Sequence, residues 1–112
     1  MNELQQKEFE LLREFDRVCN HLSLPYFLVC GSALGAVKYG GFIPWDDDVD
    51  VAMYRQDYEM FLEKAPQVLD ANLFLQNYRS EPWFPQIYSK LRNPHTTYIE
   101  KTAAAIPMVH GV

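Results

Sequence analysis

With 112 residues, the chain is sized for one small domain. Its composition, 48% hydrophobic, 14% aromatic and 22% charged, is that of a globular protein with a real core; a net charge of −5 without a basic patch argues against nucleic acid as a partner. No apolar run approaches the roughly 20 residues of a membrane span, and the charged, amphipathic start MNELQQKEFELLREF lacks a signal-peptide core, so a cytoplasmic location is expected.

Leu4, Leu11, Leu12, Phe15, Val18, Cys19 and Leu22 recur at spacings that mark one stripe of a helix, closed by Pro25. YFLVC, 26–30, is a short apolar run with aromatic and β-branched members and reads as a buried strand. GSALGAVKYGG follows: Ser32 is the expected N-cap of a short helix over 32–39, with Gly40 and Gly41 as its stop. Pro44 forces an extended approach into the aspartates. DVDVAM, 48–53, alternates with period two and predicts a strand with Asp48 and Asp50 on one face and Val49, Val51 and Met53 on the other.

A helix over 54–65 comes next, with Tyr54, Tyr58, Phe61 and Leu62 on a shared face and Pro66 interrupting it near its end. NLFLQNY (72–78) and HTTYIEK (95–101) read as strands, while Pro85 leaves WFPQIYSKLR (83–92) unassigned. The order points to an α+β or mixed α/β sheet with helices packed on it. Cys19 and Cys30 are expected as free core thiols in a reduced compartment. His21, His95 and His110 are not spaced as a zinc set.

Asp46, Asp47, Asp48 and Asp50 crowd the mouth of the predicted strand. A run of acids is ordinarily a solvated face. Here Asp48 and Asp50 would lie roughly 6–7 Å apart on one face, repelling by ~2–3 kcal/mol at an effective dielectric near 20. A sheet that accepts this is expected to neutralise it with a hard divalent ion, Mg²⁺ or Mn²⁺. An EF-hand is excluded, since Val51 stands where its loop needs glycine and Asp57 where it needs glutamate. Upstream, Gly31 and Ser32 follow a strand and open a helix, where outward N–H groups and a positive dipole suit a phosphate. A Gly-Ser phosphate turn followed by Asp-x-Asp on a second strand is the core arrangement of nucleotidyltransferases, in which the two strands lie side by side.

GSALGAVKYGGFIPWDDDVDVAMYRQDYEMFL, 31–62, closely resembles the LicD family of phosphocholine transferases, and more loosely so through KLRNPHTTYIE. Lys38 stands where that family usually has arginine, keeping the charge but losing bidentate phosphate binding. The resemblance implies a nucleotidyltransferase-like α+β fold over 1–112, a mixed β-sheet flanked by helices. It implies a metal-dependent transferase moving a phospho-alcohol, such as phosphocholine, from a CDP-activated donor to a glycan hydroxyl of cell-surface polysaccharide or lipopolysaccharide.

On that reading Asp48 and Asp50 bind the metal, Asp46 is a third or outer ligand, and Asp47 bonds locally. Gly31 and Ser32 contact phosphate. Lys38 reaches phosphate or is a surface lysine. Trp45 stacks on a base or packs into the core. Lys90 and Arg92, on one face if extended, meet donor phosphate or form a solvated edge. The family's third carboxylate follows a stretch like MVHGV, 108–112, so a chain truncated before that acid is expected; Glu81 and Glu100 are the only acids after Asp70. Two other functions stay open: a nucleotidyltransferase moving NMP to a small molecule, and a non-catalytic metal- or nucleotide-binding module.

Overall fold

A computed structural model describes residues 1–100 and 103–112, in two compact units, Met1–Val68 and Leu69–Val112. In the first, α1 spans Glu3–His21. It starts where Asn2 and Gln5 close a capping box: the Asn2 side chain accepts from the Gln5 N–H at 2.8 Å, and Gln5 Oε1 accepts from the Asn2 N–H at 3.3 Å. Its buried face is Gln5, Glu8, Leu11, Phe15, Val18 and Cys19. The predicted apolar stripe is therefore right from Leu11 onward, and two polar residues continue it toward the N-terminus.

α3 (Arg55–Val68) packs on α1 through Phe61 and Ala65. Phe15 meets Phe61 at 5.2 Å and Tyr26, edge-on, at 4.9 Å. Each such pair adds about 0.5–1.5 kcal/mol beyond its buried area. Pro66 lies inside the last turn rather than ending the helix, and Arg17 Nη2 donates to the Val68 carbonyl at 2.8 Å, satisfying an end that proline leaves irregular. Tyr54 precedes the helix and is exposed, against the sequence expectation; its ring packs edge-on against Phe27 at 5.3 Å.

Between these helices run β1 (Phe27–Leu28), α2 (Cys30–Lys38) and β2 (Val51–Ala52). β1 and β2 pair antiparallel, Phe27 opposite Ala52 and Leu28 opposite Val51, so the two expected strands are neighbours. The second strand is much shorter than the predicted 48–53. Exposure still alternates along the whole stretch, with Asp48 and Asp50 out and Val49, Val51 and Met53 half-buried. Aspartate is a poor strand former and these repel one another, so the ladder closes only after the last of them. α2 begins two residues earlier than predicted, and its N-cap is Val29, not Ser32.

In the second unit β3 (Phe74–Gln76) and β4 (Lys90–Arg92) pair antiparallel, Leu75 opposite Leu91. β3 is the centre of the predicted 72–78, and β4 lies in the stretch left unassigned. The predicted strand 95–101 is absent over 95–100, and Lys101 lies outside the described residues. The architecture of the described residues is α+β, with two small antiparallel ladders in place of a mixed sheet. Both cysteines are free. Cys19 is buried as expected; Cys30 is exposed, because it occupies the strand-to-helix turn at φ +54 rather than the strand.

Candidate functional site

The β1–α2 turn and the aspartate segment are fastened together through the backbone of Asp50. The Asp50 N–H donates to Ser32 Oγ at 2.9 Å, and the Asp50 carbonyl accepts from the Val29 N–H at 3.2 Å. Ser32, expected to cap its own helix, instead holds the Asp-x-Asp segment in place. Acting there as acceptor, its hydroxyl keeps its own hydrogen to donate. The turn is strained at Cys30, whose left-handed φ of +54 is uncommon outside glycine.

Gly31 lets Asp46 come close. A Cβ there would lie 2.6 Å from Asp46 Oδ2 and 3.9 Å from Ile43 Cδ1. The Asp46 carboxylate thus sits against the first turn of α2, where the helix dipole favours negative charge. At the other end of α2, Gly40 turns the chain at φ +66, and the Gly41 N–H returns to the Gly35 carbonyl at 3.2 Å. This reversal delivers Ile43 to the core and starts a tight turn, Asp46 N–H to Ile43 carbonyl at 2.9 Å, with Pro44 inside it.

α1 clasps that turn from the side. Gln5, 2% exposed, donates from Nε2 to the Ile43 carbonyl at 3.1 Å and the Asp46 carbonyl at 3.0 Å. With Oε1 in the capping box, both ends of its amide are used, tying the start of the chain to the entrance of the aspartate run.

Carboxylate oxygens of Asp46, Asp47 and Asp48 lie within 4.8 Å of one another. Asp50 is outside that trio, two residues beyond it on the segment Ser32 fixes. The Asp47 N–H donates to Asp46 Oδ1 at 3.1 Å. Partial desolvation, then Asp50, Asp46 and Asp47, then a hydrogen bond to the Asp46 side chain, push the Asp48 carboxyl up to about 6. Glu8, on the inward face of α1, is pushed up to about 7 by burial and then by Asp48, Asp47, Asp46 and Asp50. Crowded hard oxygen donors of this kind suit Mg²⁺ or Mn²⁺.

The sequence reading missed Gln5 and Glu8. Their signal was present in the spacing, since stepping back by three from Leu11 along the buried stripe reaches Glu8 and then Gln5.

The other nominated residues lie farther out. Lys38 ends α2, about 9 Å along the axis from Ser32, with its ammonium 5.6 Å from the centre of the Tyr39 ring. Trp45 is 78% exposed, so core packing is ruled out; Tyr39 meets it edge-on at 6.3 Å. The turn commits its neighbour Ile43 to the core and leaves the indole outside.

Lys90 and Arg92 do share a face of β4, but not as a solvated edge. Arg92 is buried, donating from Nε to Gln76 Oε1 at 2.7 Å and from Nη1 to the Gly111 carbonyl at 2.5 Å. Lys90 Nζ pairs with Glu100 at 2.9 Å. Glu81 accepts from Gln76 Nε2 and from the Val109 N–H.

The family described as LicD/FKTN/FKRP, nucleotidyltransferase domain, matches residues 23–106. The lipopolysaccharide cholinephosphotransferase LicD of Haemophilus influenzae is 38% identical over 63 residues, 56% of this chain and 24% of that protein. The human ribitol 5-phosphate transferase FKRP is 53% identical over 32 residues, 29% of this chain and 6% of that protein. The human ribitol-5-phosphate transferase FKTN is 35% identical over 68 residues, 61% of this chain and 14% of that protein. The matched segments thus span about a quarter or less of these relatives' lengths. No solved structure matches the chain.

Proposed function

The chain belongs to the LicD/FKTN/FKRP nucleotidyltransferase domain family, and from that premise we propose that it carries the donor- and metal-binding part of a phospho-alcohol transferase. The donor is a CDP-activated alcohol such as CDP-choline, and the acceptor is a hydroxyl of a cell-surface glycan or lipopolysaccharide. The relatives' names support this class, since choline phosphate and ribitol phosphate are both phosphorylated alcohols. The observation that carries the reading is the fastening of the Gly31–Ser32 turn to Asp50, which puts a phosphate-type turn and a carboxylate cluster side by side.

In this reading Asp46 and Asp48, with Asp47 completing the trio, would hold Mg²⁺ or Mn²⁺, and Asp50 would join them from the segment that Ser32 fixes. The bound ion supplies charge neutralisation for the donor's diphosphate and the departing CMP. Gly31 presents backbone close to the donor phosphates, and Ser32 donates its hydroxyl hydrogen to them while keeping Asp50 in place. The acceptor oxygen bonds to the phosphorus bearing the alcohol, the bond from that phosphorus to CMP breaks, and the hydroxyl proton passes to a carboxylate of the segment. Trp45 offers an exposed face on which the donor's base stacks, with Tyr39 bracing its edge. Lys38, at the far end of α2, meets the donor away from the Gly-Ser turn.

Neither Glu81 nor Glu100 is a spare third carboxylate, since both are bonded within the second unit. Free cysteines fit a reducing, cytoplasmic setting; among the described residues no helix is long and apolar enough to cross a membrane.

The test is a donor screen with Mg²⁺, comparing CDP-choline and CDP-ribitol with ATP. CMP release from a CDP-alcohol, lost on adding EDTA, is the expected result. Pyrophosphate release from ATP, with AMP passing to an acceptor, would overturn it in favour of nucleotidyl transfer. Saturable binding of a CDP-alcohol without turnover would reduce the chain to a binding module.

A further inference from the structure

Glu8 lies on α1, a different element from the aspartate segment. It is 8% exposed, and its Oε2 has no hydrogen-bond partner. Gln5, three residues earlier and therefore on the same face of α1, touches the backbone of Ile43 and Asp46. That face lies against the entrance to the aspartate run, and all four aspartates act on Glu8 electrostatically. Among the described residues no cationic side chain pairs with it.

A buried carboxylate with an empty acceptor facing four like charges is unfavourable by desolvation, by repulsion and by the missing hydrogen bond. Leucine in the same stripe would pack without any of these costs. An acid held there is accounted for by a partner that is positive or that donates hydrogen bonds, and a hydrated divalent ion does both.

We propose that Glu8 is a positioning residue of the cation site, accepting at Oε2 a hydrogen bond from a water on the ion held by the Asp46–Asp50 segment. This rests on the reading that the segment binds a divalent ion. Mg²⁺ and Mn²⁺ keep several waters when few protein ligands reach them, and a carboxylate behind such waters orients them and tightens the site. Glu8 closes the site from the α1 side, while Gln5 fixes the distance between helix and segment.

The test is Mn²⁺ titration of the full chain followed by electron paramagnetic resonance, with equilibrium urea unfolding of the metal-free protein alongside. Glu8→Gln keeps shape and burial while removing the charge. It is expected to weaken Mn²⁺ binding about 10–100-fold and to make the metal-free protein more stable. Glu8→Asp, which keeps the charge on a shorter stem, is expected to fall between wild type and Glu8→Gln, and it decides the matter if Glu8→Gln does not fold. Unchanged Mn²⁺ affinity in the folded Glu8 variants, beside lost binding in Asp48→Asn, would overturn the role of Glu8 and leave the aspartate site standing; a merely structural Glu8 would move the unfolding curve alone. Absence of Mn²⁺ binding in the wild type would instead overturn the reading of the segment itself, and the role of Glu8 with it.

Discussion

Two clusters of charge, one in each unit, are built on opposite terms. In the second unit every buried charged or amide group named above has its partner: Arg92 on Gln76 and Gly111, Gln76 on Glu81 and Val109, Lys90 on Glu100. In the first, Glu8 Oε2 is unpaired, burial and then the charge of four aspartates raise the Glu8 carboxyl, and the Asp48 carboxyl is pushed upward as well. A network with its hydrogen bonds satisfied specifies a structure. A cluster of like charges with an empty acceptor is maintained against stability, a cost that the proposed cation site would explain.

The contrast breaks most plainly at Arg92. Arg92→Met should cost about 3 kcal/mol in urea unfolding, because it leaves the Gln76 and Gly111 oxygens buried and unpaired. Removing a charge from the first cluster should do the reverse. An unchanged unfolding midpoint for Arg92→Met would remove the claim that this network is structural.

Acidity separates the two clusters next. Glu8 titrates in the folded protein near 7, against an ordinary 4.5. Between those values the folded state holds the extra proton, so stability falls as pH rises through this window. Asp48 adds the same sign between its ordinary 3.8 and about 6. Glu100, held below its ordinary 4.5 chiefly by its hydrogen bond to Lys90, acts oppositely, losing stability as pH drops past 4.5. In EDTA, wild type should therefore be more stable at pH 5 than at pH 7.5, with Glu8 contributing roughly 3 kcal/mol. Glu8→Gln should flatten most of that slope; equal slopes in the two proteins would contradict the burial and repulsion assigned to Glu8.

The smallest effect on folding is expected at Gly31. In Gly31→Ala the new methyl meets the mobile end of Asp46, which can swing away, so urea unfolding should change by less than about 1 kcal/mol. The displaced carboxylate should still weaken Mn²⁺ binding severalfold. A large loss of stability with intact Mn²⁺ binding would show Gly31 to serve packing only.

Much of the first unit was legible in the sequence. The Leu11–Cys19 stripe, a strand within 26–30 and the period-two exposure of 48–53 all follow from side-chain spacing, although that strand is not buried as expected, since Phe27 is exposed. Glu8 and Gln5 escaped because polar residues at helical spacing ordinarily face water, and nothing local shows that a loop some 40 residues later will cover them. Of the two readings open for Trp45, core packing falls, because the turn gives the core to Ile43 and leaves the indole outside. The second unit was read less well. Pro82, Pro85, Pro94 and Pro107 interrupt it, and strands of three residues are too short to show a period. Its order comes from buried hydrogen bonds between side chains distant in sequence, which no spacing announces.

The central claim is that the Asp46–Asp50 segment is a divalent-cation site, and its most direct measurement is thermal unfolding against Mg²⁺ concentration for wild type, Asp48→Asn and Asp50→Asn. Wild type should gain stability in a saturable way, as a ligand bound only by the folded state requires, and both variants should lose that gain. Full Mg²⁺ stabilisation retained in both variants would contradict the account.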